Sequence, residues 1–70
     1  MDNKVENKFK SWFYSLSVTE NRRAKKELIE QLEIPYSTLY YWLKDDYIFA
    51  RIQMVALNDF ALKFNGTKIF

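Results

Sequence analysis

The 70-residue chain has no cysteine and no histidine. The first absence excludes a disulfide framework. Together they exclude the usual zinc site and the common nucleophile–base pairs of hydrolytic enzymes. There is one glycine, Gly66, and one proline, Pro35. No glycine-rich loop is therefore available to cradle a phosphate, and nucleotide hydrolysis has no support. No apolar run approaches the ~20 residues of a membrane span, and the opening MDNKVENKFK lacks a hydrophobic signal core. These absences lead us to expect a cytoplasmic protein with no membrane partner, no cofactor, no metal and no small-molecule substrate. Adjacent acids such as Asp45 and Asp46 read as helix caps or solvated charge. Catalytic carboxylates need a buried, pKa-shifting pocket, and a domain this small rarely builds one. An enzyme is not expected. Strong charge bias is lacking too: eleven basic and nine acidic residues leave a net charge of +2, too little to indicate nucleic acid by itself.

What is abundant is aromatic and aliphatic surface, with hydrophobic residues at 49% and aromatics at 19%. That is too apolar for intrinsic disorder. A chain of this size buries only about 60% of its unfolded surface, so small domains need a supplement to the core. Rings that each remove ~150–250 Å² from water can supply it. With so few breakers, residues 1–70 are expected to form one all-α domain, a small bundle of about four helices. The first spans about 4–16, with Val5, Phe9, Trp12, Phe13 and Leu16 on one face. Ser17-Val18-Thr19-Glu20 is a capping box and opens a second helix, 18–32, with Ala24, Leu28, Ile29 and Leu32 inward. Pro35 cannot sit inside a helix, so the chain turns at Glu33–Pro35. A short third helix covers about 36–44. Asp45 and Asp46 are N-cap candidates for a fourth, 47–64. Asn65-Gly66 closes it, the glycine suiting a left-handed cap.

Two helices joined by a tight turn, the second of them short, form the helix-turn-helix pattern. Leu39, Trp42 and Leu43 of the third helix fall on a core face, with Ile34 in the turn. Tyr36, Ser37, Tyr41 and Lys44 fall on the outer face, and Tyr40 is divided between the two. The stretch IPYSTLYYWLK, Ile34–Lys44, resembles the recognition-helix region of small bacterial and phage helix-turn-helix regulators. It is also similar to the TetR-type DNA-binding domain, with Ile34, Thr38, Leu39, Tyr40 and Tyr41 matching in place. The resemblance covers about Arg22–Phe49. It departs from the usual pattern at Glu33, where a turn glycine is common, and at Ile29, where alanine is common. Because the sequence stops at residue 70, a stand-alone regulator of the phage or mobile-element kind is expected rather than a TetR-type repressor. The resemblance implies a recognition helix in the major groove of duplex DNA. By position, Tyr36, Ser37, Tyr40 and Tyr41 would face bases and backbone, and Arg22, Arg23, Lys25, Lys26 and Lys44 would meet phosphates. The outer face has no Arg, Asn or Gln, the strongest bidentate base readers, so shape-based discrimination is expected.

Two further features bear on partners. In NRRAKK, Asn21–Lys26, four positive charges fall within five residues. They lie in the early turns of their helix, where the macrodipole disfavours cations. A broken local rule of this kind points to function. The fourth helix is apolar on more than one face: Ile48, Ile52 and Val55 make one stripe, and Phe49, Ala56 and Phe60 another. Burial on two sides predicts a homodimer through Phe49, Val55, Phe60 and Phe64, unless the tail Ile69-Phe70 covers part of that face. A rival expectation is a protein-interaction module, an antirepressor or assembly adaptor, using the Tyr-rich helix and the apolar fourth helix.

Overall fold

Every helix in this chain starts or stops where a particular side chain answers the unpaired backbone groups at its end. The computed structural model describes residues 7–70. It contains α1 (Lys8–Ser15), α2 (Val18–Leu32), α3 (Tyr36–Trp42) and α4 (Arg51–Asn65). There is no strand among the described residues, so the chain is a small all-α bundle, as its composition predicts.

Asn7 is the N-cap of α1, its Oδ1 accepting from the Lys10 N–H at 2.9 Å. The earlier start expected at Lys4, with Val5 on the inner face, lies outside the described residues. Ser17 and Glu20 form the expected reciprocal box at the start of α2. Asn21 Nδ2 donates to the Phe13 carbonyl at 3.0 Å, tying α2 to the open end of α1. The second helix stops at Glu33, which takes the left-handed conformation (φ 52°, ψ 45°). It is the one non-glycine residue with positive φ among those described. Pro35 then caps α3 through its carbonyl, which accepts from the Thr38 and Leu39 N–H groups.

The third helix ends at Trp42 rather than Lys44. The Trp42 and Lys44 carbonyls are taken by Asn7 Nδ2, at 2.8 and 2.6 Å. The fourth helix begins at Arg51 rather than Tyr47, because Asp45 and Asp46 do not cap it. They lie in a turn, and Asp45 pairs with Lys10 at 2.6 Å. Residues 47–50 are non-helical and bring Tyr47 and Phe49 onto the core. Gln53 supplies the cap that the acids do not: its Oε1 accepts from the Ala50 N–H at 2.8 Å, and its amide donates to the Tyr47 hydroxyl at 3.0 Å. Gly66 closes α4 at φ 75°, as expected.

Phe9 is the hub of the core. Its ring lies 5.8–6.2 Å from those of Trp12, Phe13, Trp42 and Phe49. Such pairs each add ~0.5–1.5 kcal/mol beyond area burial. The aromatic core has one imperfection: Trp12 Nε1–H is buried without a hydrogen-bond partner among the described residues.

The C-terminal tail folds back onto this core. Asn58 Oδ1 accepts from the N–H groups of Ile69 and Phe70, at 3.0 and 2.7 Å, and its Nδ2 donates to the Phe70 carbonyl at 3.3 Å. Ile69 is buried, and the Phe70 ring rests 5.3 Å from Phe49. The chain's own core also takes up three of the four residues expected at a dimer surface. Phe60 is 4% exposed, and Phe49 and Phe64 pack on the chain's own core. The aromatic face of α4 is consumed within the domain. Only Val55 of the four stands open.

The caps predict two stability effects. Glu33→Gly should raise stability by about 0.5–1 kcal/mol, the relief of left-handed strain exceeding glycine's entropy. Thermal unfolding should show a rise of roughly 2–8 °C. Asn7→Ala should cost about 2–4 kcal/mol, a lost cap plus the buried Trp42 carbonyl left unpaired. Asn7→Asp keeps the cap acceptor but has no donor for α3. Denaturant unfolding followed by tryptophan fluorescence should show it losing at least as much as the alanine variant. A wild-type Asn7→Asp would mean that the bonds to α3 contribute nothing.

Candidate nucleic-acid interface

Helical periodicity divides α3 into two faces. Leu39 and Trp42, with Leu43 just beyond the helix, are buried as expected. Tyr36, Tyr40 and Tyr41 are 49, 55 and 57% exposed, so Tyr40 belongs to the outer face. Ser37 and Lys44 are exposed beside them. Tyr36 and Tyr40, one turn apart, bring their ring centroids to 5.4 Å. These tyrosines form a continuous aromatic surface edged with hydroxyls.

Two cations sit on that surface. Lys44 Nζ lies 4.9 Å from the Tyr41 ring centroid, and Lys25 Nζ lies 5.5 Å from that of Tyr36. The second contact crosses from α2 to α3. It lies in an open groove of about 450 Å³ lined by Arg22, Lys25, Lys26, Ile29, Glu30 and Tyr36. Arg22, Lys25, Lys26 and Ile29 recur at the i, i+3, i+4, i+7 spacing that places them on one side of α2. A shallower depression of about 290 Å³, lined by Ser37, Tyr40, Tyr41 and Lys44, continues the surface along α3.

Arg23 does not join this group. Its Nε lies 3.2 Å from the Glu27 carboxylate, and its guanidinium stacks 4.2 Å above the Phe64 ring of α4. Of the five residues expected at phosphates, Arg22, Lys25 and Lys26 share the groove with Tyr36, Lys44 joins through Tyr41, and Arg23 braces α2 against α4. The i, i+4 spacing of Arg23 and Glu27 was the available signal for that role. The dipole conflict inferred from the sequence is also small. Arg22 is the fifth residue of α2, and the macrodipole's effect falls off within the first turn.

Sequence reasoning missed three contributors. Ile29 floors the groove, and Glu30 places one acid among its cations. Asn7 fixes the end of α3 from a distant position in the chain. Chemically, the surface offers hydroxyl donors and acceptors, π-faces and four cations. Among the described residues, no group of three or more acidic, His or Cys side chains could hold a metal, and no helix is long and apolar enough to cross a membrane.

No protein-family model, curated protein sequence or solved structure matches the chain.

The different settings of neighbouring cations are separable by stability. Arg23→Ala should cost about 0.5–1.5 kcal/mol, through lost contact with Phe64 and Glu27. Arg22→Ala should stay within about 0.5 kcal/mol of wild type, the usual range for a surface substitution. Equal effects in denaturant titrations would contradict the assignment of Arg23 to bracing.

Proposed function

We propose that the chain binds duplex DNA in the manner of the small helix-turn-helix proteins its sequence resembles, with α3 as recognition helix. It would serve as a small transcriptional regulator or an accessory protein of a mobile element. One observation carries this reading: the basic side of α2 and the tyrosine face of α3 share one groove, through Arg22, Lys25, Lys26 and Tyr36. Cations alone are usually a solvated helix face, and aromatics alone are usually core. Their meeting on an exposed surface suits a polyanion whose bases present flat faces and hydrogen-bonding edges.

The dimensions agree. Seven helical residues span about 10 Å, and the major groove is ~12 Å wide. Tyrosine and serine hydroxyls bond phosphate oxygens or base edges, and rings meet the thymine methyl. Arg22, Lys25, Lys26 and Lys44 neutralise phosphates and release counterions, the largest source of affinity in such complexes. Without Arg, Asn or Gln on the outer face of α3, selectivity rests on groove shape and deformability. A two-fold dimer would set two such faces on half-sites one helical turn apart, offsetting the soft contacts of each.

The exposed tyrosines also suit a protein interface, where tyrosine is enriched. An antirepressor or adaptor would use them without needing the cations of α2. Salt dependence separates the two readings. Fluorescence anisotropy with a labelled mixed-sequence duplex should show affinity falling steeply as salt rises. Replacing Arg22, Lys25 and Lys26 together with alanine should reduce the slope of log K against log salt by about 2–3, at ~0.9 per phosphate contact. Arg23→Ala should leave the slope unchanged. Absence of binding at low salt, or a slope indifferent to the triple replacement, would contradict DNA recognition by this face.

A further inference from the structure

Among the described residues, one apolar surface is used neither by the fold nor by the groove. Ile48, Ile52, Val55 and Leu62 are 75, 78, 61 and 51% exposed. Ile52, Val55 and Leu62 lie along one side of α4, opposite the buried Leu57, Phe60 and Ala61. Ile48 extends the stripe from the segment just before the helix. An apolar helix face of this extent is normally covered. The chain's own tail is not the cover, because Asn58 holds Ile69 and Phe70 against Phe49 and the core.

The charges beside the stripe say what is. Arg51 has no ion-pair partner among the described residues, and Asp59 is held by the exposed Lys63 at 3.2 Å. Arg51 and Asp59 stand four positions, about 6 Å along the axis, on either side of Val55. When a second α4 is laid antiparallel with Val55 on the two-fold axis, Arg51 of each copy comes level with the other's Asp59. Leu62 then comes to the end that carries Ile48. Parallel pairing would instead set arginine against arginine and aspartate against aspartate. A pattern of charge that is complementary to itself about one residue suits an isologous contact.

We propose that the chain forms a two-fold homodimer through this face, α4 antiparallel to α4, with Val55 at the axis and reciprocal Arg51–Asp59 pairs. The interface lies on the side of α4 that Phe49, Phe60 and Phe64 do not occupy. The dimer does not depend on the DNA reading, and it is tested without DNA.

Sedimentation equilibrium of the full chain, from about 1 µM to about 1 mM, should show a monomer–dimer equilibrium. A dissociation constant on the order of 10 µM suits a patch at the small end of interface sizes. Val55→Glu puts two like charges together at the axis and should weaken dimerisation by about tenfold or more. Arg51→Glu and Asp59→Arg should each weaken it by about 3- to 10-fold, and the double charge swap should restore it. These side chains are exposed, so circular dichroism should confirm that each variant stays folded. A wild-type chain that is monomeric at the highest concentration overturns the dimer. An undiminished Val55→Glu dimer overturns this face, and a double swap as weak as its parents overturns the antiparallel register.

Discussion

The Asn7 side chain is the point on which the arrangement turns. Its oxygen caps the start of α1, and its nitrogen binds two carbonyls at the end of α3. A seven-residue helix is far below the length that is stable alone in water. The third helix therefore holds its shape through what grips it: Leu39, Trp42 and Leu43 in the core, and Asn7 at its C-terminal end. Loss of that grip would leave the Trp42 carbonyl buried without a partner, a cost larger than the bond itself is worth. The orientation of the tyrosine face is set from the far end of the sequence.

The same device recurs. Asn21 ties α2 to the last turn of α1, and Asn58 clasps the backbone of the C-terminal tail. These asparagines serve helix ends and the C-terminal tail, while the rings around Phe9 supply the apolar stabilisation that a 70-residue chain without cysteine must find elsewhere. The division of labour explains why α4 is both apolar and partly exposed. Its aromatic side completes the core, and its aliphatic side is left over. That remainder, with Arg51 and Asp59 disposed about Val55, fits a second copy better than it fits solvent.

Much of the fold was legible because it followed local rules. The Ser17–Glu20 box, the turn around Pro35 and the Gly66 cap each belong to short sequence patterns with one physical meaning. The inner and outer faces of α3 followed from spacing alone, except for Tyr40, whose aromatic character argued for the core while its position argued for solvent. Other features were not legible, because long-range partners decided them. Asp45 was an apt N-cap by type, yet Lys10 of α1 holds it, and Gln53 caps α4 instead. Long-range partners likewise placed Phe49, Phe60 and Phe64, the aromatics expected at a dimer surface: Phe70 packs on Phe49, and Trp12 of α1 packs on Phe60 and Phe64. Arg23 and Arg22 are neighbours of like charge, and the Glu27 carboxylate together with the Phe64 ring separates their roles.

We propose that one surface, composed of the outer face of α3 and the basic side of α2, recognises duplex DNA. Amide NMR spectra of the labelled chain, titrated with mixed-sequence duplex at low salt, test it most directly. The account predicts shifts concentrated on Tyr36–Lys44 and on Arg22, Lys25 and Lys26, with α4 residues such as Leu57 unaffected. Spectra that stay unchanged at high DNA excess, or shifts that avoid α3, would contradict it.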